Sequence, residues 1–153
     1  MLWPTYLHHV TIHFPIVLLM VMAALGLWSL RHDIPPMQKA VHVGGWIAFA
    51  LTSVAIITGL LTAPGTFGFG GDANLDHHRN LALTTWTITG LSAWSYHKGI
   101  QDTERDWRMF GVMMWCVAAF AVLGAGHWGG ASHNKEVVPW YEHPTTPKTM
   151  PVK

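Results

Sequence analysis

Four stretches of the chain carry no aspartate, glutamate, lysine or arginine, and this feature restricts the fold more than any other. The stretches cover residues 1–30, 40–71, 80–97 and 109–134. Each contains a segment close to the roughly 20 apolar residues that a helix needs to cross a bilayer. A soluble four-helix bundle would carry charged stripes on its outer faces, and these segments carry none. The sequence therefore predicts four membrane-spanning helices, at about residues 7–30, 40–63, 78–98 and 107–131.

Short connections predict how these spans are arranged. A Pro35-Pro36 turn joins the first two spans, and residues 99–106 join the last two. Links of this length place consecutive helices antiparallel. The sequence thus predicts an all-α, integral membrane, four-helix antiparallel bundle over residues 1–133. Residues 134–153 are rich in proline and lack helical periodicity, which predicts a tail without a core of its own.

Basic residues near the span ends predict the orientation. An even number of spans puts both termini on one side, which we name side A, and the opposite side is side B. Side B carries five basic residues close to the spans, whereas side A has only Arg79 and Lys135 close by. By the positive-inside rule, side B is cytoplasmic. The sequence predicts a bacterial inner-membrane protein whose two termini, and whose tail, lie in the periplasm.

Histidines are unusually frequent, since eleven of them outnumber the nine lysines and arginines. In the stretch LHHVTIHFP, His9 and His13 are four apart and share a helix face, while His8 points about 100° away. Pro15 cannot donate to the carbonyl of Thr11, so we expect the helix to bend or begin there. Ionisable groups at span ends tend to face a bundle interior and to be functional. For any single histidine, snorkelling of an amphipathic side chain to the interface is the favoured explanation, and only the pattern as a whole indicates function.

Depth in the membrane sorts the histidines into two levels. On side B, His42 begins the second span and His97 ends the third, so the two should face each other. The candidates on side A are His13, His78 and His127, with His9 one turn farther out. Neutral imidazole is a standard axial ligand of haem iron. The single cysteine, Cys116, lacks the spacing for covalent haem attachment. The pattern therefore predicts one or two haems b, with iron ligated on side B by His42 and His97 and on side A by His13 and His127, and with His78 as the substitute ligand.

Two motifs resemble those of a known family. The sequence HxxxHFP occupies residues 9–15, and GHxGG occupies residues 126–130. Together with four spans, these motifs resemble an uncharacterised family of bacterial four-helix membrane proteins that is known only as a domain of unknown function. The resemblance extends over about residues 7–133. Some family members occur fused to, or beside, c-type cytochrome modules, which implies a redox context. The resemblance implies functional roles for His9, His13, His127, Gly129 and Gly130.

The leading hypothesis from the sequence is a small b-type cytochrome. Such a membrane subunit would pass electrons between a quinone or quinol and a periplasmic redox partner, such as a c-type cytochrome, within a larger complex. The sequence has no nucleotide loop, nucleophile triad or basic nucleic-acid face. One alternative is that the side A histidines, with Asp72 or Asp76, bind copper, zinc or iron, since imidazole suits all three metals. The other alternative is a structural or pigment-binding subunit of a membrane complex.

The charge distribution makes a testable prediction about topology. Reporter enzymes fused after Lys153 should behave as exported proteins, because the basic residues flank the two side B connections. Alkaline phosphatase and a fluorescent protein that folds only in the cytoplasm are a suitable pair of reporters. Cytoplasmic activity at this fusion point would reverse the assignment of both sides.

Overall fold

The chain is helical throughout the described part, apart from short turns. The computed structural model describes the backbone of residues 3–62 and 73–133 and the side chains of residues 7–62 and 73–130. The helices are α1 (Trp3–Thr11), α2 (His13–His32), α3 (Pro35–Thr62), α4 (Ala73–Gln101) and α5 (Arg105–His133). No strand occurs in these ranges, so the all-α prediction is confirmed for them. The predicted tail at residues 134–153 lies outside the described residues.

The first predicted span consists of two helices, α1 and α2. Ile12 stands between them with φ −64° and ψ −26°, which is still a helical conformation. Its N–H donates to the carbonyl of His8 at 3.0 Å. Three residues later, Pro15 has no N–H to continue the ladder onto Thr11. The interruption that the sequence predicts beside the histidine cluster is therefore confirmed.

The four long helices contact one another in a ring. Helix α2 packs against α3 and α5, and α4 packs against the same two helices, so α2 and α4 lie diagonally opposite. The short helix α1 packs on α3. Two residues separate α2 from α3, and three separate α4 from α5. Turns this short make each pair an antiparallel hairpin.

The distribution of polarity is the reverse of that in a soluble bundle. The interior buries Trp115 and Tyr96 but also several hydroxyl side chains, among them Ser92. The outer surface carries large apolar side chains, and Phe120 is 77% exposed and Phe14 57%. A soluble monomer rarely exposes so much continuous apolar surface. Three described segments are long and apolar enough to cross a bilayer, namely Leu7–His32, Pro35–Thr62 and Arg105–Gly130. These features suggest a membrane protein.

Helix α4 is not among these three segments, since it is rich in threonine and serine. Its hydroxyl groups donate to the carbonyls of its own preceding turn. Thr89 donates to Thr85 at 2.7 Å and Ser92 donates to Ile88 at 2.7 Å. Each of these two hydroxyls is thereby satisfied without water, which makes it tolerable in an apolar medium. The hydroxyl of Ser95 is the exception, since it is buried without a hydrogen-bond partner among the described residues.

The two hairpins repeat each other with an offset of 70 residues. Helices α3 and α5 begin at Pro35 and Arg105, which are 70 residues apart. The two non-glycine residues with positive φ in the described chain, Asp33 (43°) and Thr103 (57°), are also 70 residues apart. Of the eleven buried positions between residues 15 and 58, ten have a buried counterpart 70 residues later. The bundle is therefore built from two hairpins of the same design, α1–α2–α3 and α4–α5.

Two contacts between counterpart residues show how the hairpins are related. Trp115 packs directly against Gly45, its counterpart in the other hairpin. His8 and its counterpart His78 have ring centroids 6.5 Å apart. Counterparts in two units related by a twofold rotation can touch only near the rotation axis. These contacts lie at different levels, so an approximate twofold axis runs along the bundle.

The second hairpin is packed more tightly than the first because of where its glycines lie. A Cβ atom on Gly111 would be 2.8 Å from the carbonyl oxygen of Ser92 and 2.9 Å from the nitrogen of Tyr96. The counterpart of Gly111 in the first hairpin is Val41, whose side chain needs the space that the glycine lacks. The backbones of α4 and α5 can therefore approach more closely than those of α2 and α3.

This difference predicts the effect of a single methyl group. Gly111→Ala should destabilise the protein by about 1–3 kcal/mol, because the added carbon meets backbone atoms that cannot rotate away. Gly126→Ala is the matched control, since a Cβ there meets nothing within 4 Å. Thermal unfolding of the purified protein in detergent measures both. Equal unfolding temperatures for the two variants would contradict the close approach of α4 and α5.

Candidate functional site

The imidazole of His8 points from α1 towards α3. Its Nδ1 lies 3.1 Å from the carbonyl oxygen of Ala55 and 3.3 Å from Oγ1 of Thr58. A carbonyl oxygen can only accept, so Nδ1 carries the proton and donates it. The ring rests on Gly59, where a Cβ atom would be 2.9 Å from Cε1 of His8. The carbonyl orients the ring, and the missing side chain at Gly59 provides its space.

His78 is held in the same way in the second hairpin. Its Nδ1 lies 2.7 Å from the carbonyl oxygen of Ala125 on α5, so this nitrogen is also the donor. The ring rests on Gly129, where a Cβ atom would be 2.8 Å from Nδ1. In both neutral rings Nε2 is then the basic nitrogen, which is the one that can bind a metal ion.

The two histidine environments are counterparts in the 70-residue repeat. His8 corresponds to His78, Ala55 to Ala125, and Gly59 to Gly129. Between residues 3–62 and 73–132 the two hairpins share the same residue at only five positions, and these six residues account for three of them. The repeat has therefore kept its sequence mainly where it builds this pair of half-sites.

The spacing of the two imidazoles matches that of two ligands on opposite sides of one ion. Their ring centroids are 6.5 Å apart and their planes are at 85°. Two imidazoles bound end to end at about 2.0 Å per bond would have centroids about 6.3 Å apart. Metal-ligating histidines commonly donate their other N–H to a backbone carbonyl, as both rings do here. His8 and His78 thus place two imidazoles, each held by a backbone carbonyl, within 6.5 Å of each other at side A.

Other histidines predicted for side A lie on the outer surface. His13, His9 and His127 are exposed, and the ring of His127 is 5.5 Å from that of Trp128. The ring close to His78 is that of His8. The sequence did not indicate His8, because it points away from the helix face that His9 and His13 share. A seven-residue spacing could have identified it, since His8 continues the series of buried positions Pro15, Met22 and Ser29. The same spacing leads from His78 to Thr85, Ser92 and Gly99.

At the side B level, His42 of α3 and His97 of α4 meet as their depth predicts. Nε2 of His42 lies 2.8 Å from Nδ1 of His97, which is a direct hydrogen bond. The ring centroids are 4.9 Å apart and the planes are at 35°. The edge of Trp46 packs on His97, with 6.2 Å between centroids. This pair is closer than two ligands on opposite sides of an ion, whose nitrogens are about 4 Å apart.

Larger metal-binding clusters are not found in the described chain. Within residues 7–62 and 73–130, no group of three or more histidine, cysteine, aspartate or glutamate side chains could hold one ion. Asp76 forms an ion pair with Arg79 at 3.0 Å. Asp72, the other acidic residue predicted for a metal site, lies outside the described residues.

Comparisons of the chain with known proteins were made at three levels. No protein-family model, no curated protein and no solved structure matches it. The family resemblance of the two motifs stays a prediction. The features of the described chain that indicate a function are the two histidine pairs, His8 with His78 and His42 with His97.

The hydrogen bonds to Ala55 and Ala125 predict an uncommon tautomer. His8 and His78 should carry their proton on Nδ1, whereas a free neutral imidazole in water prefers Nε2. Nitrogen-15 spectra of protein with labelled histidine distinguish the tautomers, and His8→Asn and His78→Asn variants assign the signals. Nε2-protonated rings at both positions would contradict the two carbonyl contacts.

Proposed function

We propose that the protein is a small b-type cytochrome that transfers electrons in a membrane, and that it holds haem b between His8 and His78. Haem iron, when bound, changes between its ferric and ferrous states and so carries one electron. The single observation that carries the proposal is the 6.5 Å separation of these two imidazoles across the bundle axis. It matches bis-histidine ligation, for which b-type haem needs no covalent attachment.

The residues around the two imidazoles support this role. Ala55 and Ala125 accept the Nδ1 protons, which directs Nε2 of each ring away from the carbonyl that holds it. An N–H···O=C bond also raises the basicity of the opposite nitrogen, which strengthens it as a ligand. Gly59 and Gly129 let each ring lie against a helix backbone. The half-sites therefore hold both ligands before any cofactor arrives, so little side-chain freedom is lost on binding.

We further propose that all four long helices cross the inner membrane and that His8 and His78 lie at its periplasmic side. Helix α4 packs against α3 and α5, and several of its hydroxyls donate to its own backbone, so it can lie within the bilayer although it is less apolar. The excess of basic residues near the side B ends favours this orientation. An electron at this site would be close to a periplasmic partner such as a c-type cytochrome. A quinone or quinol within the membrane is the proposed exchange partner.

A direct test measures haem in the purified protein. The pyridine haemochrome assay should give about one haem b per chain, and His8→Ala or His78→Ala should each remove it, because a bis-histidine site that lacks one ligand becomes high-spin or empties. His77→Ala is the matched control, since this exposed neighbour of His78 packs on Trp128 outside the site. The ferric wild type should also give the strongly anisotropic low-spin resonance that perpendicular imidazole planes produce.

Three outcomes separate this assignment from its rivals. Loss of the haem spectrum in His13→Ala and His127→Ala, but not in His8→Ala, would restore the ligands predicted from the motifs. Stoichiometric copper, zinc or iron without b-type bands would favour a periplasmic metal site. A purified complex with no cofactor, or with a chlorin spectrum, would favour a structural or pigment-binding subunit.

A further inference from the structure

The side B pair, His42 and His97, departs from the 70-residue repeat. The counterpart of His42 is Val112, and the counterpart of His97 is Leu27. The interface between α3 and α4 therefore carries two histidines where the equivalent interface between α5 and α2 carries two apolar residues. Since apolar side chains suffice for the same positions in the same framework, packing alone does not require the histidines.

We propose that His42 and His97 bind a single divalent transition-metal ion of the zinc, copper or nickel class through two neighbouring coordination positions. This site goes beyond the haem proposed at the opposite end of the bundle and does not depend on it. Imidazole suits all three metals. The chain supplies the two nitrogens, and water would complete the coordination at the half-buried edge of α3 and α4.

The distance between the two nitrogens favours such adjacent ligands. Nε2 of His42 and Nδ1 of His97 are 2.8 Å apart. Two nitrogens bound to one ion at about 2.0–2.1 Å are about 2.9 Å apart at a right angle and about 3.3 Å apart at the tetrahedral angle. An ion can therefore replace the shared proton after the nitrogens separate by a few tenths of an ångström and each ring turns by about 35–45°, so that both lone pairs point at the ion. Ligation of haem iron by the same pair would need about 4 Å, and α3 and α4 would have to separate.

Binding of the ion in place of the shared proton requires only a proton shift within one imidazole ring, and no co-reactant is needed. In the neutral pair, one imidazole N–H donates to the basic nitrogen of the other ring. When the ion binds, the donating ring moves this proton to its second nitrogen, and both facing nitrogens become ligands. The nearest fixed cation on α4, Lys98, is held over the ring of Trp107 with its nitrogen 4.8 Å from the centroid. Its charge is thereby engaged by the aromatic face rather than directed at the pair.

The test uses the repeat to choose substitutions that the fold already accepts. His42→Val and His97→Leu introduce the residues that stand at the counterpart positions, so each variant should fold. Copper(II) is titrated into the purified protein in detergent, and the bound ion is counted after removal of the excess. Each variant should bind one equivalent less than the wild type, and the double variant should lose no more than either single variant. The resonance of the lost component should show coupling to two nitrogens.

His32→Ala is the matched control at the same membrane level, because this ring packs on Trp28 with 5.2 Å between centroids. It should bind as much copper(II) as the wild type. Wild-type stoichiometry in both His42→Val and His97→Leu would overturn the proposal. Loss of a haem spectrum in these two variants would also overturn it and would make the pair axial haem ligands. If the haem assay finds no haem held by His8 and His78, the copper(II) count and the nitrogen coupling for His42 and His97 are still informative.

Discussion

The contact between Trp115 and Gly45 fixes the centre of the bundle. Trp115 is fully buried, and its ring occupies the space that the missing side chain of Gly45 leaves. The ring also packs on Tyr96 with 5.3 Å between centroids, and the hydroxyl of Tyr96 donates to Ser29 at 3.0 Å. Ser29 in turn donates to the carbonyl of Gly26 at 2.8 Å. One large residue on α5 thus links three other helices, and its position determines which faces of the helices can meet on the axis.

A bundle made of two hairpins can place one residue of each hairpin at the same point on the axis. At Gly45 and Trp115 the two hairpins differ, and a small residue complements a large one. At His8 and His78 they are the same, and two imidazoles meet. Difference in the core allows close packing, whereas identity at the end brings two equivalent imidazoles together. The interface between α3 and α4 then adds a pair, His42 and His97, that the equivalent interface between α2 and α5 lacks.

The sequence predicted the fold and the histidine levels, but it did not predict that the rings of His8 and His78 lie close together on side A. Uncharged stretches and short turns determine helices and hairpins, so the all-α arrangement followed from them. His42 and His97 were predicted to meet because depth along two antiparallel helices is set by residue count alone. The role of His8 depends on rotation about the helix axis, and Pro15 interrupts the helix where that rotation had to be counted.

The 70-residue repeat is not recognisable in the sequence because the two hairpins share a pattern of buried positions and few identical residues. Leu19 and Thr89 are counterparts, both are buried, and they differ in polarity, as do Met22 and Ser92. Gly126 and Gly130 have the small-xxx-small spacing that is typical of close helix packing, yet a Cβ atom on either residue would meet nothing within 4 Å in the described chain. A pattern of small residues identifies a helix face but not the helix that covers it.

The hydroxyl content of α4 has a consequence for how the protein is made. A helix with this many threonines and serines gains little by entering a lipid bilayer alone, even though several of its hydroxyls donate to its own backbone. Its partner α5 is strongly apolar and approaches it closely through Gly99 and Gly111. On the proposed four-span topology, α4 would enter the lipid only together with α5. The closely packed hairpin of α4 and α5 would then form before it packs against α2 and α3.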